Sequence, residues 1–284
     1  MNAPCKKYAA ARPIRSGFML CALACVLFFM SGCKTVQDQR TDLNADLAQR
    51  SWSEFIRLSG QAATKASPYN MILSIRYRSP EDSHRFAAYF WGNAGQSPYP
   101  VRLDIQGAMG AIAAKLFENA DTFILYDTEN NTALLAPGSS GALLQIGLPL
   151  PVRLGDLSLL LGGRYQDFFT PANGNDMPRL IASDLAGKST FSIASGPHAG
   201  LLTLDTKGRP VSWSEHNEKG WRFEISYLEG VYEGSLPGPQ RVVASHPQSY
   251  SITLQVKSFN PQNKEYAPEQ LQLIIPEGAI IKES

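Results

Sequence analysis

The residues best suited to acid–base or metal chemistry are the four histidines and the carboxylates beside them. Only His216 has such neighbours in the chain, in the stretch Ser214-Glu215-His216-Asn217-Glu218. This stretch directly precedes the turn pair Lys219-Gly220, so a solvated hairpin tip is a better interpretation than a metal or acid–base site. The other three histidines are scattered beside turn residues and indicate no constellation: His84, His198 and His246.

Motifs for nucleophilic, metal or phosphate chemistry are also missing from the sequence. It contains no Gly-x-Ser-x-Gly, no His-Glu-x-x-His and no Gly-x-x-x-x-Gly-Lys. The stretch Gly107-Ala-Met-Gly110 is too short to bind a nucleotide and lacks the following helix. We therefore expect no catalytic residues, no metal and no cofactor. A hydrolase with an unrecognised site is the least favoured alternative.

The N-terminus indicates export and a covalent modification of a cysteine. Four basic residues, from Lys6 to Arg15, precede the uncharged apolar run Gly17–Met30. Its 14 residues are too few to cross a bilayer, which needs about 20, but they suit the core of a signal peptide. The run ends in Met30-Ser31-Gly32-Cys33, which resembles the lipobox of bacterial lipoproteins, with Met30 in place of the usual Leu.

The cysteine pattern supports cleavage before Cys33 and its modification by diacylglycerol. Cys5, Cys21 and Cys25 lie in the part removed, so Cys33 would be the only cysteine left. A lipidated thiol avoids the liability of a free one in an oxidising compartment, and two or more acyl chains anchor a protein stably. The alternative is an ordinary signal peptide with an incidental Cys33.

The residue after Cys33 predicts the membrane to which the protein is sorted. By the sorting rule known for such lipoproteins, Asp after the cysteine favours the inner membrane, whereas Lys34 here favours the outer membrane. We expect a protein held by lipid on the periplasmic face of the outer membrane. Loss of residues 1–32 removes four of the 26 basic and none of the 25 acidic side chains, leaving a net charge of −3. No nucleic-acid partner is indicated.

Hydrophobic periodicity predicts a helix followed by a large sheet. Residues 33–43 are polar and typical of a tether, and a stripe including Trp52 and Phe55 predicts a helix over residues 44–58. Beyond it, apolar residues alternate with polar ones, which is typical of antiparallel strands with one dry face. We predict about eleven strands, at 69–77, 85–91, 101–106, 111–117, 122–127, 132–136, 190–194, 201–205, 211–215, 221–227 and 250–257.

Two short apolar segments interrupt these strands. Residues 139–148 and 152–161 have leucines at helical spacing, are separated by Pro149 and Pro151, and end at Gly162-Gly163. A sheet of this size tends to curl into a full or partial barrel. We expect a mainly β fold whose two short helices cover the open mouth of the apolar face.

Three stretches resemble the outer-membrane lipoprotein receptor family of the Lol lipoprotein-sorting pathway (LolB-like). They are GLPLPVRLGDLSLLLGG at residues 147–163, RLDIQGAMGAIAAKLF at 102–117 and LLTLDTKGRPVSWSEHNEKGWRFEISYLE at 201–229. The likeness spans about residues 40–260. It implies a curled, antiparallel, unclosed half-barrel that encloses an apolar cavity under a helical lid.

The resemblance also implies functional positions. The exposed Leu of the family's hairpin tip corresponds to Met109, so Ala108, Met109 and Gly110 would form the loop that enters the membrane. An alternative is that Met109 simply packs under the sheet. The cavity would be lined by inward residues of the clearest strands and of the lid, namely Met71, Leu73, Ile75, Leu103, Ile105, Leu157, Leu161, Phe223, Ile225, Ile252 and Leu254.

These observations divide the chain into a signal peptide (1–32), a lipidated tether (33–43), a half-barrel domain (44–260) and a C-terminal extension (261–284). The function expected is acceptance or carriage of lipidated protein or lipid in the cavity, and help in inserting it into the membrane. The partners would be acyl chains and a periplasmic lipoprotein carrier. The alternative is a structural or assembly lipoprotein with a solid core that binds another protein and carries no lipid.

Overall fold

The computed structural model describes residues 33–93, 100–107, 110–138, 152–169, 177–216, 220–227 and 238–283. The chain forms two compact units, Met1–Asp46 and Leu47–Ser284. In the first unit, the described part is the beginning of helix α1, which spans Cys33–Thr64.

Helix α1 is longer than its apolar stripe predicts, since it begins eleven residues before position 44. The polar stretch 34–44 contains neither Gly nor Pro and several good helix formers, so propensity extends the helix where no stripe marks it. Within the second unit, Ala48, Trp52 and Phe55 are buried at the predicted helical spacing.

Fourteen strands form one sheet, joined to three further helices. The helices are α2 (Leu154–Leu161), α3 (Tyr165–Phe169) and α4 (Pro268–Leu271). The strands are β1 (Tyr69–Arg78), β2 (Ser83–Gly92), β3 (Val101–Gln106), β4 (Ile112–Glu118), β5 (Thr122–Asp127), β6 (Thr132–Pro137), β7 (Arg179–Ser183), β8 (Ser189–Ile193), β9 (Gly200–Leu204), β10 (Pro210–Ser214), β11 (Arg222–Ser226), β12 (Arg241–His246), β13 (Tyr250–Pro261) and β14 (Ile280–Glu283).

The sheet consists of two meanders, the first formed by β1–β6 and the second by β7–β13. The long strands β1 and β13 pair and join the two meanders. The order of the sheet is β14-β6-β5-β4-β3-β2-β1-β13-β12-β11-β10-β9-β8-β7, so β7 and β14 are its two ends and the sheet is unclosed. Every neighbouring pair is antiparallel except β14 and β6. The predicted fold class is confirmed: a mainly β protein with a large open sheet and a few helices.

Alternation along the strands defines an inner and an outer face. In β1, Tyr69, Met71, Leu73 and Ile75 are buried, while the residues between them are half-buried or exposed. One hydrophobic cluster contains inner-face residues from both meanders together with residues of α1, α2 and α3. The sheet therefore curls around the helices, which lie against its inner face.

Three strands and two helices add to those predicted. Strands β7, β12 and β14 and helices α3 and α4 have no counterpart in the periodicity analysis, whereas α2 lies within the predicted segment 152–161. The predicted helix at 139–148 falls outside the described residues. Asn130 and Asn131 form the turn between β5 and β6, where Asn131 has a φ of 47°.

The C-terminal segment crosses the outer face of the first meander. We call residues 262–283 the strap; it contains α4 and ends in β14, which pairs in parallel with β6. Leu271 and Leu273 of the strap are buried in a second, smaller cluster with Phe117, Tyr126 and Ala133. The extension thus covers one edge of the sheet, a role that the sequence leaves open.

Candidate functional site

The predicted cavity residues all lie in one place, the inner face and the helix against it. All eleven belong to the main hydrophobic cluster, and none has more than 7% of its surface exposed. Periodicity therefore identified the inner face correctly. Whether these side chains line a lipid cavity stays a prediction, because their burial is equally compatible with a packed core.

Helix α1 covers the second meander. The rings of Trp52 and Phe55 stack at 4.8 Å, Trp52 lies 5.4 Å from Phe191 of β8, and Phe55 lies 6.4 Å from Tyr165 of α3. The backbone N–H of Gln166 donates to the buried Ser59 hydroxyl at 2.6 Å, which ties α3 to α1. Aromatic packing thus fixes this part of the interior.

Helix α2 covers the first meander, where it contacts β3 and β4. It is buried on nearly all sides, since every residue from Leu154 to Leu161 except Gly155 is buried. Its C-terminal end closely approaches Gly238, where a Cβ atom would collide with the carbonyl oxygen of Leu161. No larger residue fits at that position without moving the helix.

The N-terminus of α2 is held by a carboxylate from the sheet. Glu118, the last residue of β4, points inward and accepts the backbone N–H groups of Leu154 at 2.8 Å and Gly155 at 3.4 Å. These amides have no partner within the helix, and the helix dipole favours an acceptor here. Burial nevertheless dominates and raises the pKa of Glu118 to about 7.

A second buried carboxylate lies in the first turn of the same helix. Asp156 accepts from the Arg153 guanidinium at 2.9 Å and from the Arg153 backbone N–H at 3.2 Å. Its Oδ2 lies 3.4 Å from Nε2 of His198. Burial would raise the pKa of Asp156, but the His198 ring and the Arg153 guanidinium outweigh it and lower the pKa to about 2.

His198 is the most unusual side chain of this group. It is 3% exposed, its ring stacks on Phe168 at 4.0 Å, and neither ring nitrogen has a hydrogen-bond partner of good geometry. Its carbonyl accepts from the Trp213 indole at 2.9 Å. Glu118, Arg153, Asp156 and His198 together form what we call the helix latch, a buried polar group that secures α2 to the sheet.

Sequence reasoning missed the latch. The sequence pattern puts His198 beside turn residues without a partner, and it puts Glu118 just beyond a predicted strand. The one available signal was Asp156 itself, because an acidic residue three positions after Arg153 in an apolar helix is typical of an N-terminal cap. Its partners come from other segments of the chain, which periodicity cannot bring together.

The other predicted site residues have these positions. Cys33 is the first residue of α1, and its side chain is not described. Ala108 and Met109 fall outside the described residues, but they belong to the β3–β4 connection. There Gly110 has a φ of 79°, and Gly107 donates to the Ala111 carbonyl at 2.9 Å. His216 is exposed and bonded to the Ile193 carbonyl at 3.1 Å.

The described residues offer no metal cluster and no membrane-spanning helix. They contain no group of three or more His, Cys, Asp or Glu side chains placed to hold a metal ion. Among those same residues, no helix combines the length and the apolar character needed to span a membrane.

The comparisons with known proteins give structural neighbours only. No protein-family model matches the chain, and no curated protein matches it. The solved structures similar to it include a LolA superfamily protein from Nitrosomonas europaea (10% identity, 76% of this chain and 96% of that chain, TM-score 0.49). They also include a putative outer membrane lipoprotein-sorting protein domain from Vibrio parahaemolyticus (11% identity, 76% and 94%, TM-score 0.47).

A third neighbour is the lipoprotein LppX from Mycobacterium tuberculosis (12% identity, 76% and 98%, TM-score 0.30). The structural neighbours are thus LolA superfamily proteins and lipoprotein-sorting domains. Because every one of these TM-scores is below 0.5, the likeness is loose, and the roles of these proteins are not carried over to this chain.

Proposed function

We propose that this protein is a lipid-anchored outer-membrane lipoprotein that accepts or carries lipidated protein or lipid by binding acyl chains against its inner face. The observation that supports this most is helix α2. Its leucines cover the inner face of β3 and β4, while buried polar contacts at the latch hold its N-terminus. An acyl chain is chemically equivalent to this row of leucine side chains and would take their place when the helix moves.

The energetics suit an exchange of this kind. Burial of each acyl methylene contributes about 0.8 kcal/mol, so a half-buried chain gains several kcal/mol. That gain matches the scale of the contacts that hold α2, because a hydrogen bond to a charged group contributes about 1.5 to 3 kcal/mol. Lipid and helix can therefore compete for one surface, without covalent chemistry.

The remaining steps of the proposal rest on the sequence. Lipid on Cys33 anchors the protein, and Lys34 after it favours the periplasmic face of the outer membrane. A periplasmic lipoprotein carrier supplies the cargo. The loop Ala108–Gly110 enters the bilayer during delivery, and the apolar thioether side chain of Met109 suits contact with acyl chains.

Probe binding tests the interior. The chain from Lys34 onward should bind a fluorescent fatty acid, and Glu118→Ala should bind it more tightly, because α2 loses its N-terminal acceptor. Glu224→Ala is the matched control, since Glu224 is an exposed carboxylate of β11. Absence of binding in both the wild type and Glu118→Ala would refute the proposal.

Handover tests the loop. Met109→Glu should abolish transfer of the bound probe to vesicles without changing the melting temperature, because a charge at the tip opposes entry into the bilayer. Met177→Glu is the control, since Met177 is an exposed methionine far from position 109 along the chain. Equal transfer by both variants would remove the loop from the mechanism.

One observation favours the second candidate, an assembly lipoprotein that binds a protein partner. The strap carries large exposed apolar side chains, Ile274, Ile280 and Ile281, with between 55% and 80% of their surface exposed. Exposed apolar side chains grouped in one segment are typical of interaction sites. This candidate predicts that the fatty-acid probe does not bind to the protein. It also predicts that the combined variant Ile274→Ser, Ile280→Ser and Ile281→Ser no longer binds a protein partner that the wild type binds.

A further inference from the structure

The outer face of the first meander carries a cleft of about 250 Å³, on the opposite side of the sheet from the inner face. Three of its five lining side chains are aromatic, one is an amide and one is a carboxylate. They are Asn70, Tyr89, Trp91, Asp104 and Tyr266. The cleft belongs to neither the proposed lipid site nor the latch, and it does not depend on either.

The floor of the cleft is set by strand register. Tyr89 and Trp91 are two residues apart on β2 and share the outer face, where Asn70 of β1 pairs with Trp91 and Asp104 of β3 pairs with Tyr89. Tyr89 is 37% exposed, so its ring is open to a ligand. The sheet thus presents two neighbouring aromatic side chains flanked by an amide and a carboxylate.

The wall of the cleft comes from the strap. The Tyr266 backbone N–H donates to Asn93 Oδ1 at 2.7 Å, and the Asn93 side-chain N–H donates to the Tyr266 carbonyl at 2.9 Å. Burial raises the pKa of the Tyr266 hydroxyl, and the nearby Asn70 side chain opposes that rise. The reciprocal contacts with Asn93 place the third ring firmly over the sheet, so little ordering is needed when a ligand binds.

The charge of the cleft is balanced internally. The Arg102 guanidinium donates to both carboxylate oxygens of Asp104, at 3.0 and 3.3 Å, and to the Gln272 carbonyl of the strap at 3.0 Å. The same guanidinium lies 5.2 Å from the centre of the Trp91 ring. A cationic ligand would compete with Arg102 for both groups, and an anion would face Asp104. A neutral ligand meets neither obstacle.

We propose that this cleft binds one saccharide ring of a glycan. A sugar ring has an apolar face that packs on aromatic rings, and its hydroxyls both donate and accept hydrogen bonds. Asp104 offers acceptors, Asn70 offers both functions, and the rings of Tyr89 and Tyr266 offer apolar faces. The volume is below the usual 300 to 1,000 Å³ of ligand pockets, which suits one ring of a longer chain.

Proline-rich peptides are the nearest competing class, since they also dock on aromatic grooves. Proline has no N–H to donate, so such a peptide leaves the Asp104 carboxylate without a new partner. Sugar hydroxyls donate to the lone pairs of the Asp104 oxygens that the Arg102 guanidinium does not use. The carboxylate in the lining therefore favours the saccharide.

NMR on the indole N–H signals of the full-length protein, in a detergent without a sugar headgroup, tests the proposal. The chain has four tryptophans, of which Trp52, Trp213 and Trp221 are buried in the main cluster. The Trp91 signal is identified by its loss in Trp91→Phe. Maltotriose, lactose, the N-acetylglucosamine trimer, choline and a decaproline peptide are each titrated at millimolar concentration.

We expect at least one saccharide to shift the Trp91 signal alone. Tyr89→Ala should weaken that binding about fivefold, because one aromatic contact is lost. Ile181→Ala, at an exposed apolar side chain of β7, should leave the affinity unchanged. Three results would overturn the proposal: no saccharide shifts the signal, only choline or decaproline does, or Tyr89→Ala binds the saccharide as tightly as the wild type.

Discussion

The two faces of the first meander are each covered by an added segment, but they hold it in different ways. On the inner face, helix α2 is secured by carboxylates that are almost fully buried, with Glu118 5% and Asp156 4% exposed. On the outer face, the strap is secured by amide and backbone hydrogen bonds close to water and by a small apolar cluster. The polar contacts that hold α2 are thus shielded from water, whereas those that hold the strap lie close to it.

The difference predicts how each segment responds to change. A buried charge that loses its partner keeps its desolvation cost, so the loss is large. A partly exposed group that loses its partner is rehydrated, so the loss is small. Helix α2 should therefore depend steeply on single side chains and on pH, whereas the strap should depend weakly on each of its contacts.

The largest effect is expected at Asp156. Asp156→Ala leaves the buried His198 and the partly buried Arg153 without their shared partner, and it should lower the free energy of unfolding by about 3 to 4 kcal/mol. Urea unfolding at neutral pH measures this.

Asp167→Ala provides a matched control. Arg164 and Asp167 form an Arg–Asp pair of the same three-residue spacing, but the Asp167 side chain is 39% exposed. Its loss should cost less than about 1 kcal/mol. If the two variants lose the same free energy of unfolding, burial does not make the Asp156 contacts stronger than the exposed Arg164–Asp167 pair.

The same contrast explains how far the sequence predicts the fold. Strands β1, β3 and β13 alternate cleanly because only their inner face is dry, and periodicity found them. In β4, Leu116, Phe117 and Glu118 are all buried, because α2 covers one face and the strap covers the other. Alternation disappears where both faces are covered, so Glu118 was not recognised as an inward residue.

Two of the three strands that periodicity does not predict lie at the ends of the sheet, and the third, β12, is an interior strand of six residues. β7 and β14 are the terminal strands, and every residue of β14 is exposed, so its sequence carries no burial pattern. The candidate cleft was missed for a related reason. Tyr266 reaches it through the strap, about 170 residues along the chain from Asn93, and only the fold brings them together.

The pH dependence of stability tests the inner face next. The pKa of Glu118 is 4.5 in the unfolded chain and about 7 in the fold, so the fold binds the extra proton between these values. The contribution of Glu118 to the free energy of unfolding is therefore greatest below pH 4.5. It falls by at most about 3 kcal/mol as the pH rises to about 7. Asp156 acts in the opposite sense, because its pKa falls to about 2 and its contribution is lost only below pH 3.8.

Glu118→Gln should remove this loss, because the amide cannot ionise. Urea unfolding midpoints of the wild type and the variant are compared from pH 4 to 8. Their difference should change between pH 4.5 and 7 and be constant above it. Glu224→Gln, an exposed carboxylate, should follow the wild type throughout. A constant difference between wild type and Glu118→Gln over the whole range would mean that Glu118 is not held in a desolvated site.

The smallest effect is expected at the strap. Asn93→Ala removes both hydrogen bonds to the Tyr266 backbone and should lower the free energy of unfolding by only about 1 kcal/mol. Hydrogen exchange should accelerate in residues 262–283 and remain unchanged in α2, because separate regions of a fold open independently.

Asn119→Ala supplies the control for that local response. Asn119 likewise makes two hydrogen bonds with the backbone, in this case accepting the N–H groups of Asp121 at 3.0 Å and Thr122 at 2.8 Å, but within the β4–β5 turn. It should cost a similar free energy without changing exchange in the strap. If Asn93→Ala instead speeds exchange in α2 and the strap together, the two segments open as one unit through the shared strand β4, and the contrast between the faces is one of chemistry but not of stability.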